Sequence, residues 1–274
     1  MTDGRVTAVR SRGWISAAIV GLALATAPAA SANTETATVG NVTAELSYTP
    51  TKIGYTGVHV KIVRGGVTQV DQAAALSPAC PGCGTGPAYG GRGNSVQIVQ
   101  LDSTPDPEVV FDLYTGGAHC CFYSQIFGFK SGGYTSTVHD FGDPGYSFFD
   151  PEKDGQLEFR SGNPAFAYAF GSFASSRFPP QVWRYSDGQM LDVTRSYPAL
   201  VRADLTQLKR QFKKFKSLGI KPLLAANLAD HCLLGNCDAG IGLFRKAVAR
   251  GYLDKPAKFL KHARKFLTRT GYIT

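Results

Sequence analysis

The stretch Asp150-Pro-Glu-Lys-Asp-Gly-Gln-Leu-Glu158 constrains this chain more than any other, because it crowds four carboxylates into nine residues around a single glycine. Alternation places Asp150, Glu152 and Asp154 on one side of a tight loop, Gly155 lets the backbone turn, and Glu158 closes the set from the next strand. Hard cations such as calcium take six to eight oxygens at about 2.3 to 2.6 Å, which three carboxylates, the Gln156 main-chain carbonyl and a closing glutamate can supply. The plain alternative is a solvated acidic turn between two strands.

The loop has a partner upstream. Glu108, in Asp102-Ser-Thr-Pro-Asp-Pro-Glu108, stands 50 residues before Glu158, and Gln125-Ile-Phe-Gly-Phe-Lys-Ser-Gly132 matches Gln181-Val-Trp-Arg-Tyr-Ser-Asp-Gly188 at an offset of 56. A duplication of this length, with four short strands in each copy, points to propeller blades or similar stacked sheets. Two copies are too few to close a ring. The expected fold is therefore α+β: antiparallel, blade-like β repeats (partial, propeller-like sheets) followed by a small C-terminal α-helical module.

The Asp-x-x-x-Asp-Gly-x-x-Glu loop at 150–158, its worn copy at 102–108 and Tyr114-Thr-Gly-Gly-Ala-His-Cys-Cys121 resemble bacterial secreted proteins with FG-GAP or VCBS-type repeats. The aromatic run Phe166-Ala-Tyr-Ala-Phe170 and the Trp183-Arg-Tyr hairpin fit the same group. The resemblance spans about residues 95–197. It implies an integrin-like loop with calcium at positions 1, 3, 5, 7 and 9, here Asp150, Glu152, Asp154, Gln156 through its carbonyl, and Glu158. The first copy departs from that pattern, with Gln100 and Thr104 where carboxylates are expected and Pro105 in place of the turn glycine.

Four segments are expected in order. Arg5, Arg10 and Arg12 precede an apolar run from Trp14 to about Ala27, and Ala30-Ser31-Ala32 offers a small-residue cleavage site, so 1–32 reads as a secretory signal. No later apolar run reaches the roughly 18 residues of a spanning helix. An N-terminal β-hairpin region and glycine-rich loop occupy 33–94, the two β repeats 95–196, and a basic helical module 197–274. In the last segment Val201, Leu205, Leu208, Phe212 and Phe215 recur at three and four, and the helical pattern returns near 223–234, 239–250 and 255–269. Within the repeats, strands are expected near 95–101, 107–114, 121–129, 134–140, 146–149, 157–161, 166–170, 181–185 and 189–194.

Charge divides at the same boundary. Residues 197–274 carry 16 Lys or Arg against 4 Asp, a net of +12, whereas 33–196 carry 10 against 15, a net of −5. Such asymmetry favours contact with something anionic, an envelope polymer or extracellular ligand, and outside a cell the candidates are wall polymers, phospholipid headgroups or released nucleic acid. A solvated basic face docked on the acidic part is the bland reading. Aromatic residues do not interleave the lysines on the polar faces, which disfavours nucleic acid.

Six cysteines in an exported chain read as disulfides. Cys232 and Cys237 flank Leu-Leu-Gly-Asn at a helix boundary and are expected to pair. Cys80-Pro-Gly-Cys83 sits on a β-turn whose ends fall within disulfide range. Cys120 and Cys121 either form a vicinal bond, which the neighbouring Gly116-Gly117 favours, or reach Cys80 and Cys83 separately. Zinc held by these thiols with His119 is the weaker use of them. No nucleophile elbow, metalloprotease helix motif or phosphate-binding glycine loop is present in the sequence. The preferred reading is a secreted, calcium-stabilised protein with a non-catalytic binding or structural role at the cell envelope or outside the cell; the competing class is a secreted hydrolase using the acidic loop or His119.

Overall fold

The structure is a computed structural model that describes residues 31–88, 94–119, 121–214 and 219–273. The expected signal segment at 1–30 lies outside the described residues, as does Cys120.

The first sheet is a meander of β1 (Asn33–Val39), β2 (Val42–Thr51), β3 (Gly54–Arg64) and β4 (Val67–Ala73), each antiparallel to the next. Period-two burial explains β2 and β3. Val42, Ala44, Leu46 and Tyr48 on one strand and Val58, Val60 and Ile62 on the other point to the same side, with Ala44 opposite Ile62 and Leu46 opposite Val60. Each of these valine, leucine and isoleucine side chains taken out of water contributes about 1.5 to 3 kcal/mol. Exposed β1 carries no such alternation, and it forms because the β2 edge offers it a full ladder from Asn33↔Tyr48 to Val39↔Val42.

The second sheet comprises β5 (Gly86–Pro87), β6 (Val96–Val99), β7 (Glu108–Tyr114), β8 (Phe122–Lys130) and β9 (Gly133–Gly142). Its order is β5-β7-β8-β9, with β6 also paired to β7. Strand β7 is covered on both faces, which is why Glu-Val-Val-Phe-Asp-Leu-Tyr reads as a nearly continuous apolar run. Val109, Phe111 and Leu113 pack with the first sheet, while Val110 packs with Ile126, Phe141, Tyr146 and Phe159 toward the third. Asp112, buried on that second side, accepts from Ser124 Oγ at 2.6 Å, Gln97 Nε2 at 2.8 Å and Tyr146 Oη at 2.9 Å.

The third sheet, β10 (Tyr146–Phe149), β11 (Glu158–Gly162), β12 (Pro180–Ser186) and β13 (Gln189–Asp192), has consecutive antiparallel neighbours, the same order as β6 to β9. The β8–β9 and β12–β13 hairpins both turn through two residues with positive φ, Ser131-Gly132 and Asp187-Gly188. Paired left-handed residues match the twist of the flanking strands. Antiparallel blade-like sheets followed by helices thus make the architecture, and among the described residues no barrel or propeller closes.

The helical module holds α1 (Pro198–Lys213), α2 (Ile220–Leu233), α3 (Cys237–Ala249) and α4 (Pro256–Arg269). Helix α2 is buried on nearly every side, from Ile220 through Cys232, so it is the central element and needs no polar face. Helices α1 and α4 show the apolar stripe of surface helices, Val201, Leu205, Leu208 and Phe212 on the first, Phe259, Ala263 and Phe266 on the second. Arg195 donates to Cys232 O at 2.9 Å, Leu233 O at 3.2 Å and Tyr272 O at 3.1 Å, placing one cation on the carbonyl ends of α2 and α4.

One expected strand is corrected. Residues 166–170 are not extended: a 3-10 turn at Pro164–Phe166 begins where Asn163 Oδ1 accepts from Ala165 N, and Tyr168 takes φ +58°. Such a φ breaks any strand register. The aromatics leave the sheet and enter the helical core instead, Phe166 against Phe266 at 4.9 Å and Phe170 against Phe266 at 5.0 Å.

Cys80 pairs with Cys83, Cys232 pairs with Cys237, and Cys121 is disulfide-bonded. The closed loops are short, with separations of 3 and 5 residues, so the Cys80–Cys83 and Cys232–Cys237 bonds are each worth only about 2 kcal/mol by loop-closure entropy. A Cys232→Ser/Cys237→Ser variant is therefore expected to melt about 4 to 8 °C lower than the parent in calorimetry. A drop beyond about 10 °C would show that the bond does more than restrict the unfolded chain.

Candidate functional site

The acidic loop connects β10 to β11, and its ends are fixed because Phe149 is paired with Glu158 across the ladder. Asp150 organises the turn. Its Oδ1 accepts from Asp154 N at 3.2 Å and its Oδ2 from Gly155 N at 3.0 Å. Asp154 Oδ1 then accepts from Gln156 N at 2.9 Å. Gly155, with φ +85°, makes the reversal. Asp154 and Glu152 are exposed.

Glu158 behaves differently. It is 3% exposed, and its Oε1 accepts from Arg184 Nε at 3.0 Å and Nη2 at 2.9 Å, while its Oε2 is buried without a hydrogen-bond partner among the described residues. Arg184 Nη2 also reaches Glu152 Oε1 at 3.6 Å and donates to Tyr197 Oη at 2.9 Å. Burial, then the nearby Glu152 carboxylate, pushes the Tyr197 phenol well above its ordinary range, and the bond to Glu158 raises the Arg184 guanidinium further. The structure thus gathers Asp150, Asp154 and Gln156 by loop hydrogen bonds, and Glu152 with Glu158 around Arg184. Among the described residues no three His, Cys, Asp or Glu side chains stand together as a ready metal-ligand set.

The upstream loop is held by an amide. Gln100 Nε2 donates to Asp102 O at 2.6 Å and Thr104 O at 2.5 Å, gathering two carbonyls with one NH2 group. Glu108 Oε2 accepts from Leu101 N at 2.8 Å, and burial pushes the Glu108 carboxyl up to about 7. No arginine answers it from the matching hairpin position. Gly128 stands there instead, with the Tyr185 hydroxyl packed against its α-carbon where a side chain would sit. Leu157 N donates to Gln100 O at 2.9 Å and ties the two loops together.

His119 lies in a second cluster. Its ring stacks on Phe173 at 3.9 Å and meets Tyr168 edge-on at 6.1 Å, while Nδ1 is 3.9 Å from Asp143 Oδ1. Both His119 (φ +132°) and Tyr168 (φ +58°) sit in strained backbone. The disulfide removes Cys121 as a nucleophile for His119 to orient.

Sequence reasoning missed Arg184 as the counter-charge of Glu158. The signal was present in the comparison of the two loops, where Arg184 stands at the position that Gly128 takes beside Glu108. Also missed was Asp230 on α2, fully buried against Asp204 of α1; helical spacing places it on the apolar side, but nothing local names its partner.

The fold and loops define a class: an open antiparallel β scaffold with an acidic hairpin loop and a basic helical module. No family model matches the chain, and no solved structure matches it. The chain is similar to a probable thylakoid lumen protein of Synechocystis sp., 32% identical over 158 residues covering 53% of this chain and 45% of that protein. It is also similar to an uncharacterized protein of Sinorhizobium fredii, 30% identical over 102 residues covering 36% of this chain and 16% of the relative. The matched region is thus less than half the length of either relative.

Proposed function

We propose that this is an exported, disulfide-braced β-repeat protein of FG-GAP or VCBS type, steadied by calcium at the 150–158 loop, with a non-catalytic binding role at the cell envelope or outside the cell. The observation that carries the metal reading is Glu158 Oε2, a buried carboxylate oxygen at loop position nine with no hydrogen bond. Burying such an atom unpaired is costly, and a cation would satisfy it. Asp150, Glu152, Asp154, the Gln156 carbonyl and Glu158 would hold the ion, which would supply structural rigidity and no reaction step. Export is supported by the basic and apolar N-terminal pattern, by the disulfides and by the lumenal name of one relative. No helix among the described residues is long and apolar enough to cross a membrane.

Thermal melting in calcium and in EGTA tests the reading. A ligand at a hundred times its dissociation constant stabilises the folded state by about 2.7 kcal/mol. The midpoint is expected to rise with calcium and saturate, terbium luminescence is expected to titrate in parallel, and Asp154→Ala, at an exposed position, is expected to abolish both. Identical melting curves with millimolar calcium and with EGTA, and no terbium signal, would sink the metal role.

A further inference from the structure

A hollow of about 440 Å³ opens where the first turns of α2 and α4 meet the loop following β11. Lys221 comes from α2, Lys255, Lys258 and His262 from the start of α4, and Phe170 with Phe259 makes its apolar wall. Asp254 is the one acid lining it among the described residues. The wall is anchored from behind: Phe170 meets Phe259 at 6.0 Å and His262 at 5.3 Å, and Phe259 stacks on Phe244 at 6.1 Å. Neither α2 nor α4 has a side-chain cap at its N-terminus, so the amide ends of both helices add positive potential there. A second hollow of about 540 Å³ shares Phe170, Lys221 and Asp254 and adds Ser172, Ser175 and Tyr252.

Three ammonium groups around a concave surface with one carboxylate repel one another, and an anion relieves that repulsion. The hydroxyls of the adjoining hollow and the fixed aromatic face suit a neutral, hydroxyl-bearing portion of the same ligand. We propose that this groove binds a phosphate ester of a polyol or sugar, the phosphate among Lys221, Lys255 and Lys258 and the hydroxylated part along Phe170 toward Ser172 and Ser175. The proposal extends the binding role given above by naming its ligand, and makes no use of the acidic loop. EGTA is therefore expected to leave binding unchanged even if it lowers the melting point.

Calorimetric titration of the whole protein with sn-glycerol 3-phosphate, with glycerol as control, tests the groove. The phosphate ester is expected to bind saturably and glycerol not at all. Lys221→Ala/Lys258→Ala is expected to weaken binding at least about tenfold, from the loss of two charge-assisted contacts. Lys261→Ala/Lys265→Ala, which removes the same charge from α4 outside the hollow, is expected to change it less than about twofold. Sedimentation with phosphatidylglycerol and with phosphatidylcholine vesicles separates the sources: selective capture by the former, lost in the first variant alone, assigns a lipid headgroup, and binding of the soluble ester without capture assigns a free phosphorylated polyol. Equal weakening in both variants, or no saturable binding of either probe, would overturn the assignment.

Discussion

Asp230→Asn is expected to make the protein more stable than the parent, by a margin that widens as pH rises. The Asp230 side chain is 0% exposed, and among the described residues neither carboxylate oxygen has a hydrogen-bond partner of good geometry. Burial first, then the facing Asp204 carboxylate, pushes the Asp230 carboxyl up to about 10. In the unfolded chain the same group ionises near 3.9. Between those values the folded state holds a proton that the unfolded state has released, so stability falls as pH rises, by at most about 1.4 kcal/mol per pH unit. Its contribution is complete below the unfolded pKa and gone once pH passes the folded one.

Asparagine has the same shape and no such proton. Urea unfolding at pH 7 and pH 9 is expected to show the gap between variant and parent growing by up to about 2.7 kcal/mol. That window isolates the effect. Glu108, raised to about 7, loses its contribution mainly below pH 7. His139, lowered to about 4 by burial, acts with the opposite sign on the acid side, its contribution disappearing as pH falls from 6.5 through 4. Parallel pH profiles for variant and parent would mean that Asp230 is ionised or hydrated in the folded protein.

Arg184→Leu is expected to cost about 3 kcal/mol, because it strands Glu158 in the interior with its one ion-pair partner among the described residues removed. Breaking a buried pair from one side costs about 3 to 5 kcal/mol, and the lower end applies because the Arg184 side chain is 41% exposed while that of Glu158 is 4%. The charge, more than the lost packing, is at fault, so Arg184→Leu/Glu158→Gln is expected to recover most of the loss in urea unfolding. Calcium offers a further check. If the loop takes the ion, calcium can stand in for the missing guanidinium and should raise the melting point of Arg184→Leu more than that of the parent. A single variant as stable as the parent, or a double variant no better than the single, would refute this role for Arg184.

Much of the architecture follows from local pattern. Period-two alternation in 58–62 gives the half-buried strand β3, Ser-Asp-Gly and Lys-Ser-Gly-Gly give two hairpin turns, and spacing at three and four places four helices close to their observed ends. Glu108 and Glu158, matched in the sequence, each open a strand, β7 and β11, in sheets of the same order. At the candidate site, the sequence shows that Asp150, Glu152, Asp154, Gln156 and Glu158 share one loop, but not that Glu158 answers to Arg184, 26 residues away on a different strand.

Local pattern along the chain settles which segments alternate, which coil, where the chain reverses and which cysteines are close enough to join: Cys80 with Cys83 and Cys232 with Cys237. These depend on side-chain spacing and backbone preference within a few residues. Tertiary structure alone decided that the aromatic run at 166–170 abandons the sheet for the helical core, that β1 finds an edge to pair with, that Asp230 meets Asp204, and that Lys221 and Lys258 line one hollow. Each of those outcomes rests on dehydration or charge proximity between elements distant in the chain, and a residue's own neighbours in sequence carry no record of what will cover it.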